Sequence, residues 1–142
     1  MMAAEYSAIA QVRTLGMHEE MSSSMFGDSG FAPSLAALGP GADGKCGGGP
    51  DANHGCMIDA ILGGSTCTGT NWCGQGAYKF NIQGVCANGK CKDFVISATP
   101  GDALNGSRNF CSTSDEMVRS ETAAPKSAPF TLAACQALPA MQ

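Results

Sequence analysis

The sequence predicts an α+β fold in which one long N-terminal helix packs on a four-stranded antiparallel sheet, with loops tied by disulfides. Three observations predict it: a proline-free opening segment, a period-two hydrophobic pattern that begins near Ala77, and eight cysteines in 142 residues. A chain of this length is typical of one domain. We expect a helix over 1–24, a connecting loop region over 25–76, the sheet over 77–121 and a disulfide-stapled tail over 122–142.

The opening segment has the pattern of an amphipathic helix. A polar stripe recurs at helical spacing, formed by Ser7, Gln11, Thr14 and His18. The opposite side is apolar and is expected to pack on the sheet through Met2, Tyr6, Ile9 and Val12. Glu5 lies at the margin of the polar stripe, and the helix is expected to end in the serine run that closes at Ser24.

The connecting region is rich in glycine from residue 39 to 55, which predicts a loop. A short apolar segment at 57–62 fits one or two helical turns, and Ser34 is placed to cap a turn over 35–38. Trp72, the single tryptophan, lies beside a cysteine, and packing is the simpler interpretation of it than a binding platform.

The sheet is predicted from alternation and from turn chemistry. Tyr78, Phe80 and Ile82 alternate with polar residues, and Asn88-Gly89 is the dipeptide preferred by a two-residue type I′ hairpin turn. The returning strand is expected at 93–98, a third at 108–112 and a fourth at 116–120. The tail beyond this sheet, rich in alanine and proline, is expected to be irregular.

The cysteines indicate disulfides, because their number is even and none lies in a CxxC arrangement. Disulfides in turn indicate an oxidising compartment outside the cytosol. Eight cysteines allow many connectivities, and we prefer the pairing of nearest neighbours, with the last pair assigned by elimination. The preferred pairs are Cys46 with Cys56, Cys67 with Cys73, Cys86 with Cys91, and Cys111 with Cys135.

Charge and hydropathy exclude several classes of partner. A net charge of -4 argues against nucleic acid or an anionic membrane surface as the partner. No stretch approaches about 18 consecutive apolar residues, which a membrane-spanning helix requires. The N-terminus also lacks the basic start and apolar run of a signal peptide. For an exported chain we therefore expect residues upstream of Met1, removed by processing or omitted from the sequence.

Catalytic and metal-binding signals are weak. His18 and His54 form no metal motif, and the adjacent Glu19 and Glu20 point to different parts of the helix surface, so they cannot act as an acid and base pair. We expect no enzyme activity and no cofactor. The remaining candidates are a set of oxygen ligands for Ca²⁺, Asp102, Asn105 and Asp115, and a glycosylation acceptor pattern at 105–107.

The order of parts resembles the globular domain of bacterial type IV pilins, a family that includes the pseudopilins of type II secretion. The segments that carry the resemblance are AAEYSAIAQVRTL at 3–15, GFAPSLAALG at 30–39, CMIDAIL at 56–62, and DFVISATP with RNFCSTSDEMVRSE between 93 and 121. The apolar helix half with which pilins begin, an FTLIE-like start with a glutamate near it, is missing from this chain. Three explanations stay open: a soluble truncation, a split pilin whose helical partner is a separate polypeptide, or an omitted processed portion.

The resemblance implies an assembly role. It implies the major structural subunit of an extracellular cell-surface pilus, or fimbrium, whose partners are copies of itself and, in a split pilin, a short separate helical chain. Membrane contact would occur only through the missing helix. Contacts between neighbours would come from the regions 39–73 and 111–135. The alternatives are a minor pilin, pseudopilin or tip adhesin that binds a surface ligand through its loops, and an extracellular disulfide-rich enzyme.

Overall fold

A single helix, α1 (Ala3–Met25), opens the fold in the computed structural model, which describes residues 2–141. It ends where the N–H of Phe26 donates to the carbonyl of Ser22 at 2.8 Å, followed by the turn residues Gly27 and Asp28. The buried side of α1 repeats at helical spacing and consists of Glu5, Ala8, Ile9, Val12, Leu15, Gly16, Glu19 and Ser22.

The sheet has five antiparallel strands in sequence order, where four were predicted. The strands are β1 (Cys73–Gln75), β2 (Tyr78–Ala87), β3 (Lys90–Pro100), β4 (Arg108–Ser112) and β5 (Arg119–Thr122). The additional strand is β1, whose three residues are too few to show a period. The predicted strand at 116–120 instead begins at Arg119, because Glu116 has a positive φ of 62° and the Asp115 side chain accepts the N–H of Met117 in a turn.

The β2–β3 hairpin agrees with its prediction. Asn88 and Gly89 have φ values of 56° and 78°, the left-handed conformation that a type I′ turn needs at both positions. Cys86 therefore pairs with Cys91 across the two strands, and Ala87 pairs with Lys90.

The main core lies between α1 and the sheet. The helix packs mainly on β3 and β4, and Val12 and Leu15 are fully buried in the same apolar cluster as Phe80, Ile96 and Phe110. These are the side chains that drive folding, because burying each large apolar group contributes about 1.5–3 kcal/mol.

A second apolar cluster covers the other face of the sheet. It contains Val95, Cys111, Phe130 and Cys135. The tail was predicted to be irregular, but it forms a short helix here, α3 (Leu132–Gln136). Thr131 begins this helix by accepting the N–H of Ala134 at 3.1 Å, which is the role of an N-cap side chain. The sheet is thus enclosed between α1 and the tail.

The connecting region has two short helical turns. The Ser34 hydroxyl accepts the N–H of Ala37 at 3.2 Å, as predicted, at a 3₁₀ turn over Ala36–Leu38. The helix predicted at 57–62 is shorter and begins later, as α2 (Ala60–Gly63). It begins later because the N–H groups of Met57 and Ile58 both donate to the carbonyl of Leu38 and are not available to a helix.

All eight cysteines are paired, and the pairs are the nearest neighbours: Cys46–Cys56, Cys67–Cys73, Cys86–Cys91 and Cys111–Cys135. Four disulfides in a chain of 142 residues indicate an oxidising environment, extracellular or secreted. Between residues 2 and 141, none of the helices combines the length and the apolar character needed to cross a membrane.

Candidate interaction surface

The orientation of α1 differs from the prediction. Met2 and Tyr6 were expected to pack on the sheet, yet they are 46% and 62% exposed, whereas Ile9 and Val12 are buried as expected. The centre of the buried side runs through Glu5, Val12 and Glu19, spaced seven residues apart, which is close to two helical turns. The prediction treated both glutamates as surface residues. It therefore placed the buried side of the helix too close to Met2 and Tyr6.

As a result, α1 turns large apolar side chains toward solvent. We call the exposed residues Tyr6, Ala10, Met17 and Met21 the outer face. The exposed Arg13 lies on the same side of the helix, between Tyr6 and Met17, so the apolar part of this surface is centred on Met17 and Met21. Met17 and Met21 are 62% and 48% exposed and lie four residues apart, so they are neighbours on the helix surface. Methionine adapts its shape to a partner, and contiguous exposed apolar patches mark sites of interaction. The outer face is therefore the candidate interaction surface.

The polar stripe predicted on α1 flanks this surface. Ser7 and Thr14 are exposed, but Gln11 and His18 are partly buried. Burial lowers the pKa of His18, and its Nδ1 atom has no hydrogen-bond partner. Burial therefore favours the neutral form of His18 at the edge of the outer face.

Two regions expected to contact neighbours lie next to each other. The indole N–H of Trp72 donates to the carbonyl of Ser127 at 3.1 Å, which joins the 67–73 loop to the tail. The Asn81 amide on β2 donates to the carbonyls of Gly69 and Asn71 in the same loop, both at 2.9 Å. Trp72 thus joins the stapled loop to the tail through a hydrogen bond, so the two regions lie side by side.

The predicted calcium ligands do not converge. Asp102 and Asn105 precede β4, whereas Asp115 follows it, so the strand separates them. Asp102 accepts the N–H groups of Leu104 and Asn105, and Asp115 pairs with Arg119 at 3.0 Å. Over residues 2–141, no cluster of three or more His, Cys, Asp or Glu side chains could hold a metal ion.

Sequence reasoning missed the two buried glutamates of α1. Both Glu5 carboxyl oxygens accept backbone N–H groups, from Met2 at 2.9 Å and from Ser107 at 3.4 Å, which ties the start of α1 to the β3–β4 loop. Glu19 is 0% exposed, and burial raises its pKa to about 8. Their seven-residue spacing from the buried Val12 is the signal that could have identified them.

No protein-family model, no curated protein and no solved structure matches this chain significantly. The function is therefore inferred from the fold and its surface.

Proposed function

We propose that this chain is a structural subunit, a major pilin, of an extracellular filament of the type IV pilus class. The observation that carries the proposal is the outer face of α1, where large apolar side chains such as Met17 and Met21 are turned away from the subunit's own core. In such a filament the outer face packs on neighbouring subunits, because burial of apolar area is the main driving force of association.

The rest of the fold supports this proposal. A long helix lies on an antiparallel sheet, and disulfides fix the loops and the tail in an oxidising environment. A filament grows by heterologous contacts, in which two different surfaces of the subunit meet. The outer face supplies one of these surfaces, and the joined 67–73 loop and tail supply the second.

The size of the outer face limits what it does alone. A patch of about 300–600 Å² is common on monomers, and a stable interface buries about 1,200–2,000 Å² in total. We therefore expect residues 1–142 to be monomeric in isolation. Stable filaments would require an apolar helical segment joined to α1 or supplied by a separate short chain, and that segment would also be the membrane anchor.

Peptide mass spectrometry of filaments sheared from the native cells tests the proposal. We expect this chain to be the dominant component, together with the apolar segment. A trace amount would favour a minor subunit or a tip adhesin. Its absence from the filaments would overturn the filament role.

Replacing Met17 and Met21 together by glutamate should strongly reduce the yield of sheared filaments. Charges in the outer face cannot be buried between subunits without a large desolvation cost. The stability of the subunit should change by only about 0.5 kcal/mol per substitution, because both side chains are exposed. Leu104→Glu is the control, since Leu104 is 86% exposed and lies outside α1 and outside the regions 39–73 and 111–135. Equal filament yields in the double variant and the control would contradict the role of the outer face.

A further inference from the structure

The carboxyl group of Glu19 joins α1 to the segment that follows it. Its Oε1 atom accepts the N–H of Ala32 at 2.6 Å, whereas its Oε2 atom is buried and has no hydrogen-bond partner. An ionised carboxylate here would have one hydrogen bond and no access to water. The neutral acid is therefore the form that this site favours.

Ala32 belongs to a strap, residues 26–35, that runs from the end of α1 across the tip of the β2–β3 hairpin. The N–H of Phe31 donates to the carbonyl of Cys91, and the N–H of Gly84 donates to the carbonyl of Pro33, both at 3.0 Å. The ring of Phe31 also packs edge-on against Phe94, with centroids 4.9 Å apart. The strap ends at the buried Leu35, where the 3₁₀ turn over Ala36–Leu38 begins.

The charged groups around this site do not compensate a carboxylate. On α1, the neighbouring Glu20 is an acid whose repulsion raises the pKa of Glu19 further, after the effect of burial. The pKa of Glu20 is itself raised, first by burial and then by repulsion from Glu116 in the turn before β5. The remaining charged groups on the strap and the hairpin are Asp28, Lys79, Lys90, Lys92 and Asp93. Among residues 2–141, no basic side chain forms an ion pair or hydrogen bond with Glu19.

We propose that Glu19 is a proton-dependent latch that holds the strap on α1 in acid and releases it progressively as the solution becomes alkaline. Opening the strap exposes the carboxyl to water, where its proton is lost to solvent. The latch does not depend on the proposed filament role, because all its parts lie within one subunit.

The direction of the effect follows from linkage. The pKa of Glu19 is about 8 in the folded protein, against an ordinary value of 4.5. The stabilisation is complete below the ordinary pKa and is lost as the pH rises toward 8, since the open form binds fewer protons over this range. The equilibrium constant for opening should increase by up to about tenfold per pH unit in this window and become constant above it.

Two measurements on the native chain test the latch. The first is ¹³C NMR titration of the Glu19 side-chain carboxyl, for which we expect a midpoint near pH 8. The second is hydrogen exchange of the Phe31 and Ala32 amides between pH 5 and 8, in the native chain and in Glu19→Gln. Comparing the two proteins at each pH cancels the intrinsic pH dependence of exchange. We expect the exchange rate of the native chain relative to the variant to rise steadily with pH.

The neighbouring Glu20→Gln is the matched control. It removes one acid from α1 but keeps the Glu19 carboxyl, so the pH dependence of strap exchange should remain. A Glu19 midpoint near pH 4.5 would overturn the latch, and so would an exchange ratio that does not change with pH. If Glu19→Gln failed to fold, the carboxyl titration of the native chain would still decide the question.

Discussion

Removing the Cys111–Cys135 bridge by changing both residues to alanine should lower the free energy of unfolding by about 3–4 kcal/mol. The bridge spans 24 residues, and both of its cysteines are fully buried beside Val95 and Phe130. Without the bridge, the unfolded chain has more conformational entropy. The folded chain also loses apolar packing on the face of the sheet opposite α1. Urea denaturation followed by circular dichroism measures the change.

The Cys46→Ala, Cys56→Ala double variant is the matched control. Its loop is shorter, with a separation of 10 residues, and neither cysteine is in an apolar cluster of the core. We expect a smaller loss, about 2–3 kcal/mol, since the loop-closure contribution grows with loop length. If the two double variants lost the same stability, burial of the Cys111–Cys135 bridge would have no added effect. Free thiols at Cys111 and Cys135 in the native protein would contradict the bridge itself.

Features set by neighbouring residues could be predicted from the sequence. The Asn88-Gly89 turn sets the pairing at the tip of the β2–β3 hairpin, where Cys86 lies opposite Cys91. Beyond the tip, an irregularity between Val85 and Cys86 shifts the register by one residue, which the turn does not predict. The ends of β4 were also correct, because its apolar residues lie between clear turn signals. By contrast, β1 pairs through only three residues and carries no pattern of its own.

The direction in which α1 faces could not be predicted from apolar pattern alone. Glu5 and Glu19 lie on the buried side because each has a backbone N–H partner that is distant in sequence or at the helix end. These partners become visible only when the chain has folded. The outer face was missed as a consequence. Met2 and Tyr6 were assigned to the core, and the exposure of Met17 and Met21 was not predicted.

The tail illustrates a different limit of sequence reasoning. Its alanine and proline content predicted an irregular segment, yet buried polar groups of the sheet hold it in place. The hydroxyl of Ser97 accepts the N–H of Phe130 at 2.9 Å, and the hydroxyl of Thr99 accepts the N–H of Lys126 at 2.8 Å. Order in the tail therefore comes largely from long-range contacts, these hydrogen bonds and the Cys111–Cys135 bridge, which the composition of the tail does not reveal.

Asn109 is the centre of this polar network, and replacing it should strongly destabilise the fold. Its side chain is fully buried and makes three hydrogen bonds: it accepts from the Thr99 hydroxyl at 2.7 Å and donates to Glu121 at 2.9 Å and to the carbonyl of Ala124 at 3.0 Å. Asn109→Leu should lower the free energy of unfolding by about 2–3 kcal/mol, because the buried hydroxyl proton of Thr99 loses its acceptor and the carbonyl of Ala124 loses its donor. Because leucine introduces no ionisable group, this loss should change with pH much less than the loss caused by an acidic side chain at the same position.

Asn109→Asp distinguishes the contribution of the hydrogen bonds from that of packing. It keeps the size of the side chain and the acceptor for Thr99. The introduced carboxyl replaces the donor that faces Glu121, so two acids meet and the pKa of the introduced group is raised in the folded protein. The variant should therefore be least stable at pH 7, by about 3–5 kcal/mol, and recover part of this loss near pH 4, where one acid can donate to the other. Urea unfolding of both variants at the two pH values measures the difference. A pH-independent loss in Asn109→Asp would mean that Asn109 acts through its shape and not through its hydrogen bonds.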